Sequence, residues 1–222
     1  MITAQIASIP DRTKMLRNTI VSLYEQVDHI NVMLNGYPFT PSFLEEEKIT
    51  IHHLDNKKGD AAKFYNLPEG IVFLCDDDLI YPTDYVMNML WKLDEYGGKA
   101  IITNHGSVMK PRPIKNYYGS YDRVVKYHCL SEVLDEVEVE IGGTGVMCFD
   151  TSYFKCHYNE VNIANVADLW VAKWAKEQKC KIVVNPHAED WIIYQDPERQ
   201  MWTIWGEFSE DPTIPTAFYN SF

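Results

Sequence analysis

Asp76-Asp77-Asp78 is the densest run of reactive side chains in the sequence. It follows Ile71 to Cys75, an apolar run rich in β-branched and aromatic types that predicts a strand buried on both faces. Three adjacent carboxylates repel one another, so a fold tolerates them at a strand end when a cation or a solvated edge neutralises the charge. Two readings follow: a divalent cation held by oxygen ligands, or a solvated acidic turn that caps the next helix. The buried strand favours the first, because open α/β sheets bind ligands in the crevice beyond the carboxyl ends of their strands. On an extended backbone Asp76 and Asp78 would share a face, and Asp77 would point away.

The segments that must position this triplet alternate in type. Residues 2–9 read as a strand stopped by Pro10, and Met15, Leu16, Ile20, Leu23 and Tyr24 fall on one face of a helix capped by Asp11 or Thr13. Strands are expected at 30–34 and 49–53, and Asp60 can cap a short helix through 61–65. After the triplet and Pro82, the spacing of Val86, Met89, Leu90 and Leu93 predicts another helix, and 99–103 a fifth strand. Strand and helix alternating in this way predict an α/β fold with parallel strands and right-handed crossovers.

The stretch from His105 to Tyr121 carries Lys110, Arg112 and Lys115 with two prolines and several tyrosines, and lacks periodicity, so it reads as a long functional loop. Residues 132–140 alternate as an exposed strand, Gly142-Gly143-Thr144-Gly145 breaks it, and 146–149 resumes a buried one. A helix is expected to start at Asn165, with Asp168 near its head, and His187 follows a short strand at 181–184. The last residues, with Trp202 and Trp205, read as an arm laid over the domain, its tryptophans buried.

Composition narrows the function. A chain of 222 residues suits one large α/β domain, and a net charge of −12 argues against gripping nucleic acid through its phosphates. Five scattered cysteines without C-x-x-C spacing suggest reduced thiols and a cytoplasmic location. No apolar run is long enough to span a bilayer, which leaves peripheral membrane contact open.

Taken in order, the motifs resemble the GT-A-fold glycosyltransferases, in particular small family-2-like enzymes of bacterial or phage type. The resemblance rests on Ala7-Ser8-Ile9-Pro10-Asp11-Arg12, Asn56 with Gly59 to Phe64, the D-x-D signature at Asp76-Asp77-Asp78, Gly142 to Gly145, and Asp168, and it spans residues 4–190. It implies a single Rossmann-like GT-A domain over 1–195 with a mostly parallel sheet flanked by helices. Residues 1–104 would form the nucleotide-sugar half, 105–195 the acceptor half, and 196–222 the packed arm.

The implied activity is metal-dependent, inverting transfer from a nucleotide-sugar, uridine-linked by preference, to a glycan, a lipid-linked sugar or another hydroxyl. By resemblance, Ala7, Ser8, Ile9, Asn35, Asp60, Lys63, Asp76 and Asp77 would bind the donor, and Asp78, Asp76 and His187 would hold Mn²⁺ or Mg²⁺. Asp168 would be the base that takes the acceptor's proton. The residues also leave plainer roles open: a capping carboxylate at Asp168, a solvated helix lysine at Lys63, a structural hydrogen-bond donor at His187. A nucleotidyltransferase and a catalytically silent carbohydrate-binding protein are the competing functions.

Overall fold

The computed structural model describes residues 1–196, 198 and 203–222. In chain order its elements are β1 (Ile2–Ser8), α1 (Thr13–Leu23), β2 (His29–Asn35), β3 (Ile49–Leu54), β4 (Ile71–Cys75), β5 (Leu79–Ile80), α2 (Tyr85–Glu95) and β6 (Ala100–Thr103). There follow β7 (Gly106–Met109), β8 (Arg123–Tyr127), β9 (Val137–Val139), β10 (Ile141–Gly142), β11 (Val146–Asp150), α3 (Ala167–Gln178), β12 (Lys181–Val184), β13 (Ile193–Tyr194), α4 (Ile204–Glu210) and α5 (Thr213–Asn220).

Eight strands form one central sheet in the order β3-β2-β1-β4-β11-β6-β12-β9. β3, β2, β1 and β4 run parallel. The sheet as a whole is mixed, which corrects the mostly parallel expectation, because β11 lies antiparallel to both β4 and β6. The reason is in the connection. No helix intervenes between β6 and β11, so the chain goes out through β7, β8 and β10 and comes straight back, without the crossover that a parallel neighbour requires.

Alternation along β4 divides the core into two layers. Val72 and Leu74 pack on one face with α3 and α5, while Phe73 and Cys75 pack on the other with α1 and α2. β4 is thus sandwiched, as its continuous apolar run demands. α1 buries Leu16, Thr19, Ile20 and Leu23, and α2 buries Tyr85, Val86, Met89 and Leu93. Among the described residues no helix is long and apolar enough to cross a membrane.

Four local expectations change. Gly59–Phe64 is a buried 3-10 run rather than an α-helix. Gly59 sits at φ +56°, and a Cβ there would meet Asn165 Oδ1 at 1.8 Å, so glycine is required on both counts. The 105–121 segment is not a plain loop: Gly106–Met109 pairs with β8 and β10 in a second, three-stranded sheet. Within 132–140 only Val137–Val139 is strand, on the far edge of the central sheet. α5 packs on the core, its Phe218 meeting Trp170 at 4.5 Å between ring centres. Trp202 lies outside the described residues, and Trp205 is 48% exposed rather than buried.

Candidate functional site

A cleft of about 530 Å³ opens beyond the carboxyl ends of β1, β2 and β4. Ala7, Ser8 and Ile9 line it from the end of β1, Asn35 from the end of β2, and Asp60 and Lys63 from the 3-10 run. Asp76, Asp77 and Asp78 enter it after β4, and Asp168 at the head of α3. Residues far apart in sequence are brought together because each leaves the same edge of the sheet.

The triplet is not extended. β4 ends at Cys75 and the chain turns through Asp77 and Asp78, so the alternation rule no longer applies. Asp77 and Asp78, rather than Asp76 and Asp78, turn the same way. Arg12 Nη1 lies 2.9 Å from Asp77 Oδ1 and 2.9 Å from Asp78 Oδ2, with all three side chains largely buried. Asp76, 45% exposed at its side chain, is paired instead with the buried Lys63, whose Nζ donates to Oδ1 at 2.5 Å. Protein cations therefore meet part of the negative charge. Burial raises the pKa of Asp77 against the pull of Arg12. Burial, with repulsion from Asp76 and Asp77, pushes Asp78 up to about 7.

Lys63 is a buried ion and not a solvated helix lysine. Its burial would depress its pKa, but the charges of Asp76 and Asp60 outweigh that and raise it. Asp60 does not cap its own segment. Its Oδ2 accepts from the Ala167 amide at 3.1 Å, so it caps α3 across 107 residues of sequence. Burial pushes the Asp60 carboxyl up to about 7.

Asp168 is in turn relieved of capping. Its Oδ1 accepts from the Thr144 amide at 2.7 Å and from Thr144 Oγ1 at 2.8 Å. Oδ2 has no protein partner among the described residues. Burial is the largest influence on this carboxyl and raises its pKa, which reverses the lowering expected from a helix terminus alone.

A pH dependence follows for the metal-free protein. A carboxyl whose pKa is raised by folding holds its proton more tightly folded than unfolded, so its contribution to stability is lost as pH rises through the folded value. With Asp60 and Asp78 both pushed to about 7, the melting temperature is expected to rise as pH falls from about 8 to about 6.5. Below that range His105, held neutral by burial, begins to act in the opposite direction. Thermal unfolding followed by circular dichroism checks this, and Asp60→Asn should remove part of the slope. A flat or inverted trend contradicts the assignment.

By donor type, two oxygens of the triplet suit a hard divalent cation. Asp76 Oδ2 and Asp78 Oδ1 have no protein partner among the described residues and are not fully enclosed, and both are carboxylate oxygens of the kind Mg²⁺ and Mn²⁺ prefer. Gly145 leaves the room: a Cβ there would lie 1.9 Å from Asp76 Oδ2. Gly145→Ala is expected to displace that carboxylate and weaken Mn²⁺ binding by about 10–100-fold. Calorimetric titration reads this, and undiminished binding would show that Asp76 is not a ligand.

His187 is placed elsewhere. It does not line the cleft, its Nδ1–H donates to Asn185 O at 2.8 Å, and its Nε2 faces His128 O at 3.4 Å. It also bridges to Val133 through its backbone. The late histidine is thus a structural residue behind the cleft, and the third-ligand reading is withdrawn.

Two basic residues of the 105–121 segment are also employed elsewhere. Lys110 stacks on Tyr121, and Arg112 lies over Tyr219 while its Nε donates to Tyr219 O at 2.8 Å. The cleft's basic wall is made by Arg123 and Lys126 of β8, which sequence reasoning missed. Arg123 sits over the rings of Tyr117 and Tyr118, and its Nε is buried without a hydrogen-bond partner. Arg12 was legible as part of the first-strand motif but not as the counter-ion of Asp77 and Asp78. Asn35 Oδ1 is another buried atom without a partner, while its Nδ2 donates to Gly59 O at 3.0 Å. No family model and no curated protein matches the chain.

Proposed function

We propose that this chain is a GT-A-fold, metal-dependent inverting glycosyltransferase that moves a sugar from a nucleotide donor, uridine-linked by preference, to a hydroxyl of a glycan or lipid-linked acceptor. The observation that carries the reading is the convergence of the acidic triplet and Asp168 on one cleft, with one Asp168 oxygen held by Thr144 and the other without a protein partner.

Asp168 Oδ2 receives the acceptor hydroxyl's proton as the anomeric carbon is attacked from the side opposite the departing diphosphate. Its raised pKa makes it a stronger base than a solvent-exposed carboxylate. Thr144 fixes its orientation. Asp76 and Asp78 would hold Mn²⁺ or Mg²⁺, and a cation so bound stabilises negative charge developing on a diphosphate. Arg12 and Lys63 keep the carboxylates in place between turnovers. The acceptor atom at Asn35 Oδ1 suits an N–H or O–H donor of the nucleoside. The five cysteines are all unpaired, which supports a reducing, cytoplasmic setting.

Product analysis tests the reading. With a panel of uridine-linked sugars and hydroxyl acceptors, acceptor-dependent release of free nucleoside diphosphate is expected, with inversion at the anomeric carbon seen by proton NMR. Release of pyrophosphate would instead indicate nucleotidyl transfer. Donor binding without turnover on any acceptor would indicate a carbohydrate-binding protein.

A further inference from the structure

Two strand ends bring a different set of ligands together on the wall of the cleft. β7 and β8 pair antiparallel with Gly106 opposite Tyr127, so the residues just outside that pair, His105 and His128, are neighbours by register. Their rings stand edge to face at 4.9 Å. Cys129 follows directly, and one ligating atom from each of His105, His128 and Cys129 lies within 4.8 Å of the others. The backbone of His105 is pinned, its carbonyl accepting from the Gly143 amide at 2.8 Å and from Thr103 Oγ1 at 3.0 Å. All three residues line the cleft.

We infer that His105, His128 and Cys129 form a binding site for a zinc-class ion, separate from the oxygen-ligand site of Asp76 and Asp78. Two imidazoles and a sulfur are borderline-soft ligands that select Zn²⁺ or Co²⁺ over Mg²⁺ and Mn²⁺. Three protein ligands on a solvent-reaching wall leave a fourth position for water or a substrate oxygen, the pattern of catalytic rather than structural zinc. The site does not depend on the transfer reading, since nothing in it uses Asp168 or the nucleotide.

Loading the site has a stoichiometric consequence. Cys129 binds as thiolate, so its S–H bond breaks and one proton passes to solvent as the metal–sulfur bond forms; burial favours the thiol in the metal-free protein and works against this step. A second consequence is local. The Leu130 amide donates to His128 Nδ1 at 3.2 Å. If Nδ1 binds the ion, that contact is lost. If Nε2 binds it, the neutral ring must carry its proton on Nδ1, and the contact is lost again.

Titration of the full chain with Co²⁺ tests the site, with magnesium present in excess to fill hard-ligand positions. The expected result is one equivalent of Co²⁺ bound with a thiolate-to-cobalt charge-transfer absorption, together with a shift of the Leu130 amide resonance. Cys129→Ser should lose the charge-transfer band, and Asp78→Ala should keep it. Absence of the band in the folded wild-type protein, or its persistence in Cys129→Ser, overturns the proposal. Should Cys129→Ser fail to fold, the Leu130 resonance in the wild-type chain decides: an unmoved amide at saturating Co²⁺ overturns the site.

Discussion

Under the proposed function, Asp168→Asn is expected to lower the transfer rate by about two to four orders of magnitude, the usual weight of a positioned general base. The substitution keeps an oxygen for the two Thr144 hydrogen bonds and leaves Ala167 capped by Asp60, so the head of α3 should stay in place. What is lost is the proton acceptor facing the cleft. Nucleotide binding should therefore survive, and the loss should appear in kcat. Because burial raises the pKa of Asp168, the wild-type rate should fall on acidification at a pH above the ordinary carboxylate range. A variant that folds, binds donor and turns over at the wild-type rate would remove the base assignment. Retention of anomeric configuration in the product would do the same.

Arg12→Met should have the largest effect on stability. It leaves Asp77 and Asp78 in a largely buried turn without the guanidinium that each meets at 2.9 Å. Breaking a buried pair by removing one partner typically costs about 3–5 kcal/mol, since an uncompensated charge stays behind. Protonation offers an escape. Asp78 is already pushed up to about 7 with Arg12 present, so the penalty should shrink between about pH 8 and about pH 6 as that carboxyl takes its proton. Denaturant unfolding at the two pH values reads the difference. Adding Asp77→Asn should recover part of the loss, because one of the stranded charges is gone. A penalty below about 1 kcal/mol, the size expected of a surface pair, would show that Arg12 is not the counter-ion of the turn.

Part of the cleft was legible because its signals are local. The apolar run of β4 could only be a strand with both faces covered, and a triplet at its end had to lie at the sheet's edge. Ala7 to Ile9 and Asn35 were placed by resemblance, and they line the cleft from the ends of β1 and β2. What local reading missed was partnership at a distance. Asp60 looked like the cap of the segment it opens, yet the 3-10 run begins at Gly59, which puts Asp60 inside the first turn, and its carboxylate caps α3 instead. Arg12 meets its partners 65 and 66 residues on. Lys110 and Arg112 suggested a functional loop, but each lies over an aromatic ring of Tyr121 or Tyr219 instead. β7 escaped notice because a four-residue strand that opens on glycine is too short to show a period until β8 and β10 supply its partners. The direction of β11 was hidden for a related reason: strand polarity depends on the connection, and the connection was read as a loop.

Isothermal titration of uridine diphosphate in the presence and absence of Mn²⁺ bears most directly on the central claim, that the turn after β4 holds a cation against a diphosphate. The account predicts binding with Mn²⁺ that is lost on chelation and lost again in Asp78→Ala, a variant that should remain folded because Arg12 keeps Asp77. Equal affinity with and without the metal would mean that Arg12, Lys63 and the basic wall bind the diphosphate unaided, and would contradict the account. Undiminished Mn²⁺-dependent binding in Asp78→Ala would contradict the assignment of that ligand.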